Sequence, residues 1–85
     1  MIYYLYSIRD RFGVWRPVFS GRDDREIKDA LKGAFKDGIP GDLVGSEVYC
    51  CARFDIVDRD EPIKKKELTF VGLLEDFVEV SKDGN

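Results

Sequence analysis

Histidine is absent from this chain of 85 residues. With it go the commonest general base, the partner in nucleophilic triads and the commonest metal ligand. Cysteine occurs only as the adjacent pair Cys50-Cys51. Neighbours on a strand point to opposite faces, a bridge between them strains the backbone, and zinc sites want spaced ligands. Two free thiols are therefore expected, one buried and one nearer the surface. No apolar run approaches the roughly 18 residues that span a bilayer. The start, Met1-Ile2-Tyr3-Tyr4-Leu5, has neither the basic leader nor the cleavage site of a secretory signal. These absences predict a cytoplasmic protein with no membrane segment, no metal and no cofactor. Carboxylate or lysine chemistry needs no histidine, but no acid pair stands out from the charged surface, so a non-enzymatic role is expected.

What is present is a folded composition, with 44% hydrophobic residues and 11 aromatics. That is too apolar for a disordered chain and enough for one small core, so residues 1–85 read as a single domain. Charge is uneven along it. Residues 1–36 carry eight basic and five acidic side chains, and residues 37–85 carry six and twelve, giving a net charge of −3. A uniform polyanion binder would be net basic. A local basic face remains allowed, because steering depends on the local field.

The pattern of elements predicts an α+β fold: a small antiparallel sheet of three to four strands, with one main helix on one face and a short second helix. Ile2–Ile8 is aromatic and β-branched on nearly both faces, as a central strand is. Arg9-Asp10-Arg11-Phe12-Gly13 turns the chain, with Gly13 free to take positive φ. Val14–Phe19 reads as the second strand of a hairpin, with Pro17 at an edge or a break, and Ser20-Gly21 ends it. Apolar residues at Ile27, Ala30, Leu31, Ala34 and Phe35 then predict a helix over 24–36. Its cap would be Asp23 with Glu26, its stop Gly38, and its buried residues Ile27, Leu31, Ala34 and Phe35. Gly33 interrupts that pattern at a cost of about 1 kcal/mol against alanine, and the pattern alone leaves open whether it permits a close contact with the sheet.

After a loop over 39–46, strict alternation puts Val48, Cys50, Ala52, Phe54 and Ile56 on one face of a strand. Glu47, Tyr49, Cys51, Arg53 and Asp55 take the other. Lys64-Lys65-Lys66 reads as an edge guard or solvated face. Phe70, Leu73, Leu74, Phe77 and Val78 have helical spacing, while 67–71 and 77–80 read as strand. The expectation is a short helix over 70–76 leading to a terminal strand, with Ser81–Asn85 frayed.

The stretch from Tyr4 to Arg22 sets five aromatic residues and four arginines against one aspartate. Single-stranded nucleic acid is held by aromatic platforms beside a basic groove, and both ingredients are here. If Tyr4, Tyr6 and Ile8 pack inward, Tyr3, Phe12 and Trp15 remain for stacking, with Arg9, Arg11 and Arg16 for phosphates. The competing reading is a protein–protein adaptor or inhibitor acting through an exposed sheet edge or the acidic second half, since Trp, Tyr and Arg also dominate interface hot spots.

In order along the chain stand Tyr6-Ser7-Ile8-Arg9-Asp10-Arg11, then Pro17-Val18-Phe19 before an amphipathic helix, then Pro40 with Asp42 and Leu43. Arg53-Phe54-Asp55 and an apolar C-terminal part with Phe77-Val78 follow. This layout resembles the small nonstructural protein of gokushoviruses and related microviruses, single-stranded DNA phages with tiny circular genomes. The chain departs from that pattern in a longer segment from Val44 to Ala52 and in the spacing about Gly41. The resemblance implies a non-enzymatic phage accessory, comparable to the factor that switches genome replication toward single-stranded synthesis and packaging. Its implied partners are single-stranded DNA, or a phage replication or host protein, in the host cytoplasm. A homodimer is compatible with either, and no functional residue is carried across.

Overall fold

The computed structural model describes residues 2–17, 19–55 and 57–79. Strand β1 (Ile2–Arg9) lies inside the sheet, between β2 (Phe19–Gly21) and β3 (Glu47–Asp55). β4 (Ile63–Leu73) forms the outer edge next to β3, so the order is β2-β1-β3-β4. Every pairing is antiparallel. Among the described residues, one helix, α1 (Asp24–Ala34), and two single 3-10 turns, Gly41–Leu43 and Leu74–Asp76, complete a small α+β fold. No described helix is long and apolar enough to cross a membrane.

Helix α1 starts where the sequence places it. Asp23 Oδ1 accepts from the Glu26 amide at 2.9 Å, which satisfies one of the unpaired N–H groups of the first turn. The Glu26 carboxylate accepts from Arg22 Nε at 2.9 Å, so the reciprocal half of the expected capping box is not made. The helix ends at Ala34, two residues short of the expected bound, because Phe35 already leaves helical geometry at φ −113° and ψ 42°; Gly38, expected to stop it, takes φ 96° in the turn beyond. Ile27 and Leu31 are buried and Phe35 is half-buried. Ala34, expected inside, is exposed. The contact stripe follows the long side chains at four-residue steps, and the alanines beside it are too short to reach the sheet.

The core lies between α1 and one face of the sheet. Tyr6, Ile8, Val48 and Cys50 from the strands meet Ile27 and Leu31, with Ile39 and Leu74 closing the end. Gly21, expected to break the chain's pattern, is instead buried within β2. A Cβ there would stand 2.6 Å from Ile27 Cδ1, so any larger residue in this edge strand would force the buried Ile27 side chain to shift.

The hairpin of β1 and β2 forms, but β2 starts later than the alternation predicts. Val14–Pro17 stays a loop with one bridge, Trp15 to Arg9. The cause is Asp10, which is almost fully buried and accepts from the amides of Phe12 and Val14, both at 2.9 Å, and from Arg16 at 3.0 Å. Those bonds close the loop on itself, and Gly13 turns it at φ 80°.

Alternation along β3 is interrupted by a bulge. Tyr6 pairs with Cys50 and Leu5 with Ala52, which leaves Cys51 as the extra residue. A bulge of one residue moves everything beyond it to the opposite face. Val48 and Cys50 therefore face the helix, while Ala52 and Phe54 join Leu5 and Tyr3 on the far side. This corrects the expectation that all four share one face. The 70–76 segment also differs from expectation. β4 runs through Leu73 and only Leu74–Asp76 turns as a 3-10 helix, with Phe77 and Val78 closing on Leu74 O. Pairing with β3 overrides the helical spacing, since a second register shift lets the same apolar positions serve a strand. Readings made for Val18, Ile56 and residues 80–85 lie outside the described residues.

Candidate nucleic-acid interface

Directly opposed residues in an antiparallel pair share a face, so the register assigns the side of the sheet that α1 leaves open. Its rows across β1, β3 and β4 are Arg9–Glu47–Leu73, Ser7–Tyr49–Phe70, Leu5–Ala52–Lys65 and Tyr3–Phe54–Ile63. Ser20 of β2 stands opposite Leu5.

Three aromatic rings line up at one end of this face. The Trp15 and Tyr49 centroids are 5.4 Å apart at 65°, and those of Tyr49 and Phe70 are 5.6 Å apart at 68°. Such edge-to-face contacts suit the ring quadrupoles. They also leave ring surface uncovered, with Trp15 44% and Phe70 53% exposed. Trp15 reaches Tyr49 across the row that Ser7 occupies. Ser7 is small and buried, and its hydroxyl donates to Arg16 O at 2.7 Å.

Cations attend the same end. The Arg9 guanidinium carbon lies 5.9 Å from the Trp15 ring centroid, and that of Arg11 lies 5.0 Å from the Phe12 ring. Both distances are in the cation–π range. Phe12 is 72% exposed at the loop tip. Lys65 is exposed farther along the face, and Glu47 is the one acid that the register puts among these rows.

Of the six residues singled out in the sequence, Arg9 meets Trp15 and Arg11 meets Phe12, as two pairs on the same loop and strand end. Tyr3 shares the face but sits at its other end. Arg16 instead donates its guanidinium to buried Asp10, and so holds the loop that presents Phe12 and Trp15. The Val14 and Phe12 amides and the Arg16 charge keep the Asp10 carboxyl below the usual carboxylate range, so the anchor is ionised. Tyr49, Phe54, Lys65 and Phe70 are not among the six. Alternation puts Tyr49 on the outward face of its strand, which is the available signal for it.

The covered side holds the other ionisable groups of interest. Tyr6 donates to Asp24 at 2.9 Å, and burial followed by that bond pushes its hydroxyl well above the usual tyrosine range. Burial also raises both thiols. Cys50 is buried and Cys51 half-buried, both unbridged. Lys64–Lys66 fall on edge strand β4, as expected of a guard. Among the described residues, no group of three or more His, Cys, Asp or Glu side chains could hold a metal ion. The chain matches no protein-family model, no curated protein and no solved structure.

Proposed function

We propose that the open face of the sheet binds single-stranded nucleic acid, and that the protein is a non-enzymatic accessory acting on DNA in a phage-infected cytoplasm, in line with its resemblance to the microvirus nonstructural protein. The observation that carries this reading is the row Trp15–Tyr49–Phe70, whose two outer rings are exposed and whose middle ring is half-buried, with Arg9 over Trp15. Bases stack on such rings for roughly 1–3 kcal/mol each without regard to sequence. Arginine suits the flank because its planar fork pairs with phosphate and stacks on a base. The net charge of −3 limits binding to this local patch, so affinity should be modest.

Titration of Trp15 fluorescence with oligothymidylate tests the reading. Binding should weaken with salt at a slope of about −0.7 per phosphate neutralised. Replacing Arg9 and Arg11 together with alanine should weaken it about tenfold or more while melting stays put, since exposed charges add little stability. No binding at low salt by the folded protein overturns the proposal.

A second reading rests on a different observation. Leu68, Phe70 and Leu73 are 40–53% exposed on β4, whose outer edge no described residue pairs. A protein partner laid along that edge would make this an adaptor. Such binding would survive salt and the loss of both arginines.

A further inference from the structure

The open face has a second aromatic site, remote from the first. Tyr3 and Phe54 are register partners on β1 and β3. Between them, with Leu5 and Ser20, lies a hollow of about 310 Å3. That is at the small end of ligand pockets, roughly 300–1,000 Å3, and fits one flat ring system better than an extended metabolite. Its walls are two aromatic rings and a leucine, and a serine hydroxyl supplies a polar contact for a ring edge.

Building on the proposed single-strand binding, we infer that this hollow receives a nucleobase from the same strand whose neighbouring bases stack at Trp15, Tyr49 and Phe70. Three observations select that occupant. The hollow and the ring row lie on one face, four residues apart along β1, or roughly 13 Å at about 3.3 Å per residue. The row between them is Leu5–Ala52–Lys65, so an exposed ammonium stands where the connecting phosphates would pass. The register puts no acidic side chain in that row or in the Tyr3–Phe54–Ile63 row; Glu47, opposite Arg9, is the one acid it places at the start of the path. An apolar side chain from a protein would fill the same space but would have no use for the lysine beside it.

The Cys51 bulge makes this site. Without it Phe54 would face the helix, and Tyr3 would have no ring opposite it. The irregularity that broke the alternation of β3 therefore also creates the second station.

Affinity against strand length tests the inference. Wild-type protein is titrated through Trp15 fluorescence with oligothymidylates of about two, four and eight nucleotides. A dinucleotide occupies the ring row alone, and longer strands reach the hollow as well. Affinity should rise about tenfold once both stations are spanned, since one further base stacks. Ser20→Phe fills the hollow from an exposed edge position, and Phe54→Leu removes one ring while keeping an apolar side chain. In both variants the gain with length should vanish, while dinucleotide affinity and melting stay near wild type. Lys65→Gln should reduce the gain and flatten its salt dependence. If both variants keep the wild-type length dependence, or lose dinucleotide binding equally, the second station is overturned and the ring row stands. If wild-type protein binds no oligothymidylate of any length, the underlying reading falls too.

Discussion

The two faces of the sheet are made by the same strands and end in opposite states. On the covered face Tyr6, Ile8, Val48 and Cys50 are at most 6% exposed beneath Ile27 and Leu31. On the open face Trp15, Ile63, Phe70 and Leu73 are 40–60% exposed. A helix of 11 residues covers one face only, and on the other the Asp10 loop covers Ser7 and part of Tyr49. Apolar area is worth roughly 25 cal/mol per Å2 when taken from water, so the half-covered rings hold interaction energy that folding does not use. Contiguous exposed apolar surface marks a place where something else binds. The contrast teaches where stability and binding are separately encoded, and each substitution below acts on one side of it.

Leu31→Asp attacks the covered face and should have the largest effect. It sets an unpaired carboxylate among Ile27, Tyr6 and Ile8, a change that costs about 4 kcal/mol or more. Circular dichroism should show no cooperative melt near the wild-type temperature. A wild-type melt would mean that α1 does not close the core.

Asp10→Ala acts between the faces, on the loop that presents Trp15. Two loop amides and the Arg16 guanidinium lose their acceptor, which should lower Tm on the order of 5–10 °C and shift Trp15 emission to the red. Acid should produce the same loosening in the wild type. Both Asp10 and Asp58 titrate below the usual carboxylate range, Asp58 at about 2 through its bonds from Lys64 and the Glu61 and Asp60 amides. A depressed value stabilises the fold above the unfolded carboxyl pKa, and the contribution is lost as pH falls through the folded one. Tm should therefore be insensitive to these groups above about pH 4 and fall below it. An Asp10→Asn protein whose acid limb matches that of the wild type would assign the limb to other carboxylates.

The covered face was largely legible in the sequence because its signals are local. Asp23 caps a helix whose apolar spacing names Ile27 and Leu31. The open face was legible only where its residues are neighbours in the chain. Arg9, Arg11, Phe12 and Trp15 fall in one short stretch and meet in space as two pairs. Tyr49 and Phe70 join them through strand register, which alternation alone does not specify. Arg16 looked free because its partner Asp10 reads as an ordinary turn residue until the loop amides converge on it. Alternation puts Phe54 on the wrong side because it holds only while pairing is continuous, and no residue type near Cys51 announces the bulge. The spacing from Phe70 to Val78 satisfies a helix and a bulged strand alike, so only pairing with β3 decides it.

Thiol labelling probes which face β3 turns to the helix at Cys50, on the near side of the bulge. Cys50 faces the core opposite Tyr6, while Cys51 is the extra residue and only half-buried. Cys51 should react first in the native protein, by a factor on the order of ten, although desolvation slows both by raising their pKa values. Denaturant should bring the two rates together. Faster reaction at Cys50 would move the register by one residue and return Phe54 to the covered side, emptying the open face of its second ring pair.

The smallest effect should come from Gly33→Ala, and it separates the faces most cleanly. The helical pattern alone leaves open whether this glycine permits a close helix–sheet approach. It does not: a Cβ at Gly33 meets nothing within 4 Å beyond the helix's own backbone, in contrast to Gly21 under Ile27. What remains is the entropic cost of glycine in a helix, up to about 1 kcal/mol against alanine, so the substitution should raise Tm by a few degrees. Because α1 touches only the covered face, oligothymidylate affinity measured at Trp15 should not change. A fall in Tm would place Gly33 in a contact that the fold does not contain. A change in affinity with raised Tm would show that the helix and the open face are coupled through the sheet, and that the two sides of the molecule are not independent.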